Sequence, residues 1–177
     1  MLKTILPLYA FYGRRAQTGL IIFITDDSTA ERNALERCWP QEIRLLCTFH
    51  VLQAFWRWLH DSKHQIIKED RKSIMDKMKR ILYAPVDSEM ELHYRELKQN
   101  FYHLYPLLQK HFELLWDRRR FWALSFRSNL PTRGNNTNNY IERSFGVLKD
   151  IIFARKQAFN SVQVFQFVIL NMERFYK

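Results

Sequence analysis

Glycine and proline are scarce, with four and five respectively among 177 residues. So few breakers argue against a chain of many tight turns and favour long helices. Cysteine is scarcer still: Cys38 and Cys47 are the only two. That excludes a disulfide framework and fits a reducing compartment. Residues 1–10 carry one lysine and a short apolar stretch, too short to span a bilayer, with no clear cleavage signal before Arg14 and Arg15. No membrane partner is expected. Low-complexity runs are missing and aromatics reach 15%, which excludes wholesale disorder.

Apolar residues and positive charge are abundant. Apolar residues make up 47% of the chain, ample for one core of ordinary size. The formal net charge is +10 and the pI about 9.8. Such a balance suits a polyanionic partner, nucleic acid above all, although a basic surface without a partner has the same charge.

Residues 2–12 read as a helix ending at Gly13. The β-branched run Leu20-Ile21-Ile22-Phe23-Ile24 predicts a strand buried on both faces, as in a mixed or parallel sheet. It ends in Thr25-Asp26-Asp27-Ser28. Asp27 or Ser28 is placed to cap the next helix, and Glu31 stands where a capping box puts it relative to Ser28. Trp39-Pro40 stops that helix, and Ile43-Arg44-Leu45-Leu46-Cys47 predicts a second strand, completing a βαβ unit.

Helical spacing dominates from Phe49 onward. Phe49, Leu52, Trp56 and Leu59 form one stripe and Val51, Phe55 and Trp58 another, so this helix is expected to be buried on most sides. Ile67, Ile74, Met78 and Ile81 mark a second helix. Met90, Tyr94, Leu97, Phe101 and Leu104 mark a third, and Leu107, Leu108, Phe112 and Leu115 a fourth. Residues 129–139 predict a loop whose Asn138 or Asn139 caps a helix starting near Tyr140. Ile141, Phe145, Leu148 and Ile152 give that helix its expected buried face, and Val162, Phe165, Ile169 and Met172 mark a last one.

Four constellations bear on chemistry. Asp26 and Asp27 follow a strand, where open α/β sheets place their sites, and where helix caps are also common. Cys47-x-x-His50 has metal-ligand chemistry, yet zinc needs four ligands; a core cysteine beside a helix-start histidine is the plainer reading, and zinc is not expected there. Glu142 lies in a first helical turn, either compensating the helix dipole or serving as a metal ligand. Asp117-Arg118-Arg119-Arg120-Phe121-Trp122, with Lys149, Arg155 and Lys156, offers basic groups beside aromatics. That pattern grips nucleic acid, or is a solvated helix face whose rings pack inward.

Ile24-Thr25-Asp26-Asp27-Ser28 with Glu31 and Ala34-Leu35, then Trp39-Pro40, then Leu46-Cys47-Thr48-Phe49-His50-Val51-Leu52, resembles the core of Mutator-like (MULE) transposases. So does Thr137-Asn138-Asn139-Tyr140-Ile141-Glu142-Arg143 with Leu148-Lys149. The resemblance covers essentially the whole chain. It implies an α/β, partial RNase H-like fold, a short mixed sheet with helices. Residues 1–59 and 126–177 would form the incomplete core and 60–125 an all-helical insertion.

The resemblance further implies that Asp26 is the second catalytic aspartate, with Asp27 as the fallback, and Glu142 the glutamate, holding Mg²⁺ (or Mn²⁺) for two-metal DNA strand cleavage and transfer. Cys47 and His50 match the family's C-x-x-H signature. Arg118, Arg119, Arg120, Arg143, Lys149, Arg155 and Lys156 are candidate DNA contacts. The implied partners are transposon ends and target DNA, with a homo-oligomer and a nuclear location as further expectations. The family's first aspartate lies on an earlier strand, whereas residues 1–13 hold no acidic residue. A truncated, catalytically incomplete copy is therefore expected. The alternatives are a domesticated, non-catalytic DNA-binding or regulatory protein, or a helical protein-interaction module resting on the Trp-rich segments 55–58 and 116–122.

Overall fold

The computed structural model describes residues 22–147, 149, 150, 160 and 162. The helices expected over residues 2–12 and after Val162 lie outside them, apart from Val162 itself. The described elements are β1 (Ile22–Thr25), α1 (Thr29–Cys38), β2 (Ile43–Leu46) and α2 (Thr48–His60). A 3-10 turn (Ser62–His64), α3 (Lys68–Tyr83), α4 (Asp87–Leu97) and a π turn (Lys98–Tyr102) follow. Next come α5 (Pro106–Asp117), α6 (Arg119–Trp122), a second 3-10 turn (Leu124–Arg127) and α7 (Asn139–Val147). The protein is thus mixed α/β and mostly helical. It divides into two compact units, Met1–Thr137 and Asn138–Lys177.

The expected βαβ unit is present. Ser28 caps α1 by accepting from the Glu31 N–H at 3.5 Å, and the Trp39 N–H closes the helix on the Leu35 carbonyl at 2.7 Å. Among the described residues the sheet is two parallel strands, with Thr25 opposite Leu46, the parallel form of the mixed or parallel sheet expected. Ile22, Phe23 and Ile24 are only half-buried, so β1 is not covered on both faces. A β-branched run specifies a strand, but the layers that pack against it decide how far each face is buried.

The core of the first unit lies among α2, α3, α4, α5 and α6. Helix α2 turns Val51, Phe55 and Leu59 inward, at i, i+4 and i+8, while Phe49 and Trp56 stay 48% and 50% exposed. The expectation that α2 is buried on most sides is not met: Leu52 and Trp58 are only partly buried against the core, and the face bearing Phe49 and Trp56 is exposed. Ile74, Met78 and Ile81 of α3, Met90 and Leu97 of α4, and Leu108 and Phe112 of α5 are buried as their spacing predicts; Ile67, Leu104 and Leu107 are not. Truncating a fully buried leucine such as Leu59 to alanine costs about 2–5 kcal/mol.

In the second unit, α7 begins at Asn139, and the Glu142 N–H donates to the Asn138 carbonyl at 3.1 Å. Asn138 therefore occupies the cap position, but its buried Oδ1 accepts no hydrogen bond, so the expected side-chain cap is not formed. Phe145 is 54% exposed, against the expectation that it is buried. The Ile141 side chain, Leu148 and Ile152 lie outside the described residues. Among the described residues, no helix is long and apolar enough to cross a membrane.

Candidate active-site cleft

Parallel register brings Asp26 and Cys47 out side by side. Thr25 pairs with Leu46, and the Cys47 N–H donates to the Thr25 carbonyl at 2.7 Å. Asp26 Oδ1 then accepts from the Ser28 N–H at 3.2 Å. Glu31, on the first turn of α1, has its carboxyl raised above the usual range, first by partial burial and then by the Asp26 carboxylate beside it. Two carboxyl groups, one in the loop after β1 and one on the first turn of α1, therefore lie side by side.

Asp27 is held differently. Its backbone is left-handed, with φ 77°, a conformation that aspartate tolerates better than most residues. Arg118 grips both of its oxygens, and Arg32 Nε lies 3.2 Å from Oδ1. With its acceptors so engaged, Asp27 is poorly placed to hold anything else, and Asp26 is the carboxylate with capacity to spare.

Asp26, Asp27, Cys47 and His50 line one cleft of about 260 Å³. Its inner wall is aromatic. Trp58 stacks with both His64 and His111, with ring centroids at 4.0 and 4.3 Å, and the His111 ring also stacks on Phe55. Burial lowers the His111 pKa to about 4, with the nearby His64 adding to the shift, so the ring is neutral near pH 7. Cys47 is fully buried, the core cysteine of the plainer sequence reading.

The other predicted residues are dispersed. Arg118 turns its fork to Asp27 rather than outward. Arg119 lies over the Trp116 ring at 4.7 Å and donates to the Trp116 carbonyl. Arg120 is exposed. Glu142, Arg143 and Lys149 are exposed in the second unit, while Arg155 and Lys156 lie outside the described residues.

Arg127 gave no signal in the sequence. It is 4% exposed and joins three segments, donating to the carbonyls of Leu46 at 2.6 Å and Phe121 at 3.0 Å, and to Asn136 Oδ1 at 3.3 Å. The Asn136 carbonyl also accepts from the N–H and hydroxyl of Thr48. Arg127 thus ties the end of β2 and the start of α2 to the asparagine-rich loop. Only its distant acceptors reveal this role; nothing around it in sequence does.

Asp26 and Glu31 offer hard oxygen donors of the kind Mg²⁺ or Mn²⁺ takes, and the buried Cys47 thiol does not suit such ions. Among the described residues, no three His, Cys, Asp or Glu side chains gather to hold a metal ion. Those residues do not by themselves complete a metal site. No protein-family model and no curated protein matches the chain.

Proposed function

We propose that the chain is a DNA-binding domain of the Mutator-like transposase type, with a partial RNase H-like core. It carries two of the family's three carboxylates, Asp26 and Glu142, and by itself binds DNA without cutting it. One observation carries the reading. Asp26 and Asp27 of one motif and Cys47 and His50 of another line a single cleft at the C-terminal ends of parallel strands, where open α/β sheets hold their ligands. The net charge of +10 supports a polyanionic partner. In this reading the partners are transposon ends and target DNA, and the protein works in the nucleus.

Fluorescence anisotropy with labelled duplex DNA tests the binding. Log affinity should fall linearly and steeply with log salt, because phosphate contacts release counterions. Binding indifferent to salt, or no binding, overturns the reading. Divalent-metal-dependent nicking that disappears in Asp26→Ala would overturn the non-cleaving part alone.

A further inference from the structure

A second cleft, of about 290 Å³, lies between α1, β2 and α6. Arg32, Arg44 and Arg118 line it. Their three guanidinium groups face two carboxylates: Asp27, held by Arg32 and Arg118, and Glu36, 3.6 Å from Arg44. One positive charge is left over. Thr25 also lines the cleft; it is 3% exposed and its hydroxyl makes no hydrogen bond. A buried hydroxyl without a partner is unfavourable unless a ligand supplies one. Phe121 stands at the rim, 45% exposed, and also borders an adjoining groove that holds Arg120. Its backbone is pinned, the N–H to the Arg118 carbonyl and the carbonyl to Arg127, which fixes where the ring is presented.

We propose that this cleft takes a phosphate of a single-stranded polynucleotide against Arg32, Arg44 and the Thr25 hydroxyl, with the adjoining base stacked on Phe121. This rests on the reading that the chain binds nucleic acid, and it names which form. The bases of a duplex are already stacked and paired, so an exposed ring beside a basic cleft gains most from an unpaired base. The leftover positive charge favours the phosphate over a neutral ligand.

Anisotropy of the full chain with a labelled single-stranded oligothymidylate, and with a duplex of equal length, tests the proposal. Phe121→Ala should weaken single-strand binding by roughly fivefold or more and leave duplex binding unchanged. Arg44→Gln should lower the slope of log affinity against log salt by about 0.7 on the single strand. An oligouridylate of equal length shows whether DNA or RNA is the preferred source of the strand, and binding of either supports the site. Phe121→Ala that leaves single-strand affinity unchanged, or weakens both forms equally, overturns the proposal while duplex binding by the wild type leaves the proposed function standing. Wild type that binds neither form overturns both. Photocrosslinking of the unaltered protein to an iododeoxyuridine-substituted strand is independent of any variant's folding: the adduct should map to the peptide containing Phe121, and an adduct confined to other peptides overturns the site.

Discussion

Arg118 holds Asp27 through both carboxylate oxygens, Nη1 at 2.9 Å from Oδ2 and Nη2 at 2.6 Å from Oδ1, across 91 positions of sequence. The pair joins the turn after β1 to the junction of α5 and α6. Both side chains are a little over one third exposed, so solvent screens much of the attraction.

Asp27→Asn should therefore cost only about 0.5–1 kcal/mol, since asparagine keeps the tolerance for positive φ and loses just the charge. Asp27→Ala should cost about 1 kcal/mol more, because alanine also strains the left-handed backbone. Urea unfolding of the two variants measures the difference. Equal losses would remove the backbone argument, and no loss in Asp27→Asn would leave the ion pair without value. The loss in Asp27→Asn should shrink in high salt.

Arg127 should be far more costly to remove. Burial pulls its pKa down to about 10, and backbone carbonyls rather than a carboxylate hold its charge. Arg127→Met leaves those buried acceptors unpaired and should lose about 2–4 kcal/mol. Arg127→Lys should recover little, since an ammonium cannot reproduce the planar fork that spans Leu46, Phe121 and Asn136. An unfolding free energy from urea titration within about 0.5 kcal/mol of wild type for either variant would contradict this role.

His111 gives the first unit a defined acid sensitivity. Its folded pKa of about 4 lies below the unfolded value of about 6.5. Between those values the unfolded chain binds more protons than the folded one, so stability falls as pH drops through that window and levels off below it. His111→Phe keeps an aromatic ring against Trp58 and Phe55 and should flatten that slope. The measurement is the urea midpoint of both proteins from neutral pH down to about 4. Parallel curves would show that the loss arises elsewhere.

The βαβ unit was legible because its signals are local. A β-branched run, a serine three residues before a glutamate, and Trp39-Pro40 act through bonds between near neighbours. That Asp26 and Cys47 lie at strand ends was legible for the same reason, since each follows its strand directly; parallel pairing then sets them side by side. Helix α2 was less legible. Apolar residues surround most of its circumference, so spacing alone did not distinguish the stripe of Val51, Phe55 and Leu59 from the exposed Phe49 and Trp56. For the choice between Asp26 and Asp27, both satisfy the motif, and the arginine that engages one of them lies far along the chain.

Sequence by itself determined the βαβ unit, the cap of α1, and which residues follow the strands, since residue type, covalent order and the capping bond from the Glu31 N–H to Ser28 are all local. Tertiary structure alone decided which stripe of α2 faces inward, that Asp27 is neutralised while Asp26 stays open, and that Arg127 is buried. Each of these depends on groups distant in sequence being brought together and desolvated, and no local pattern encodes where such partners meet.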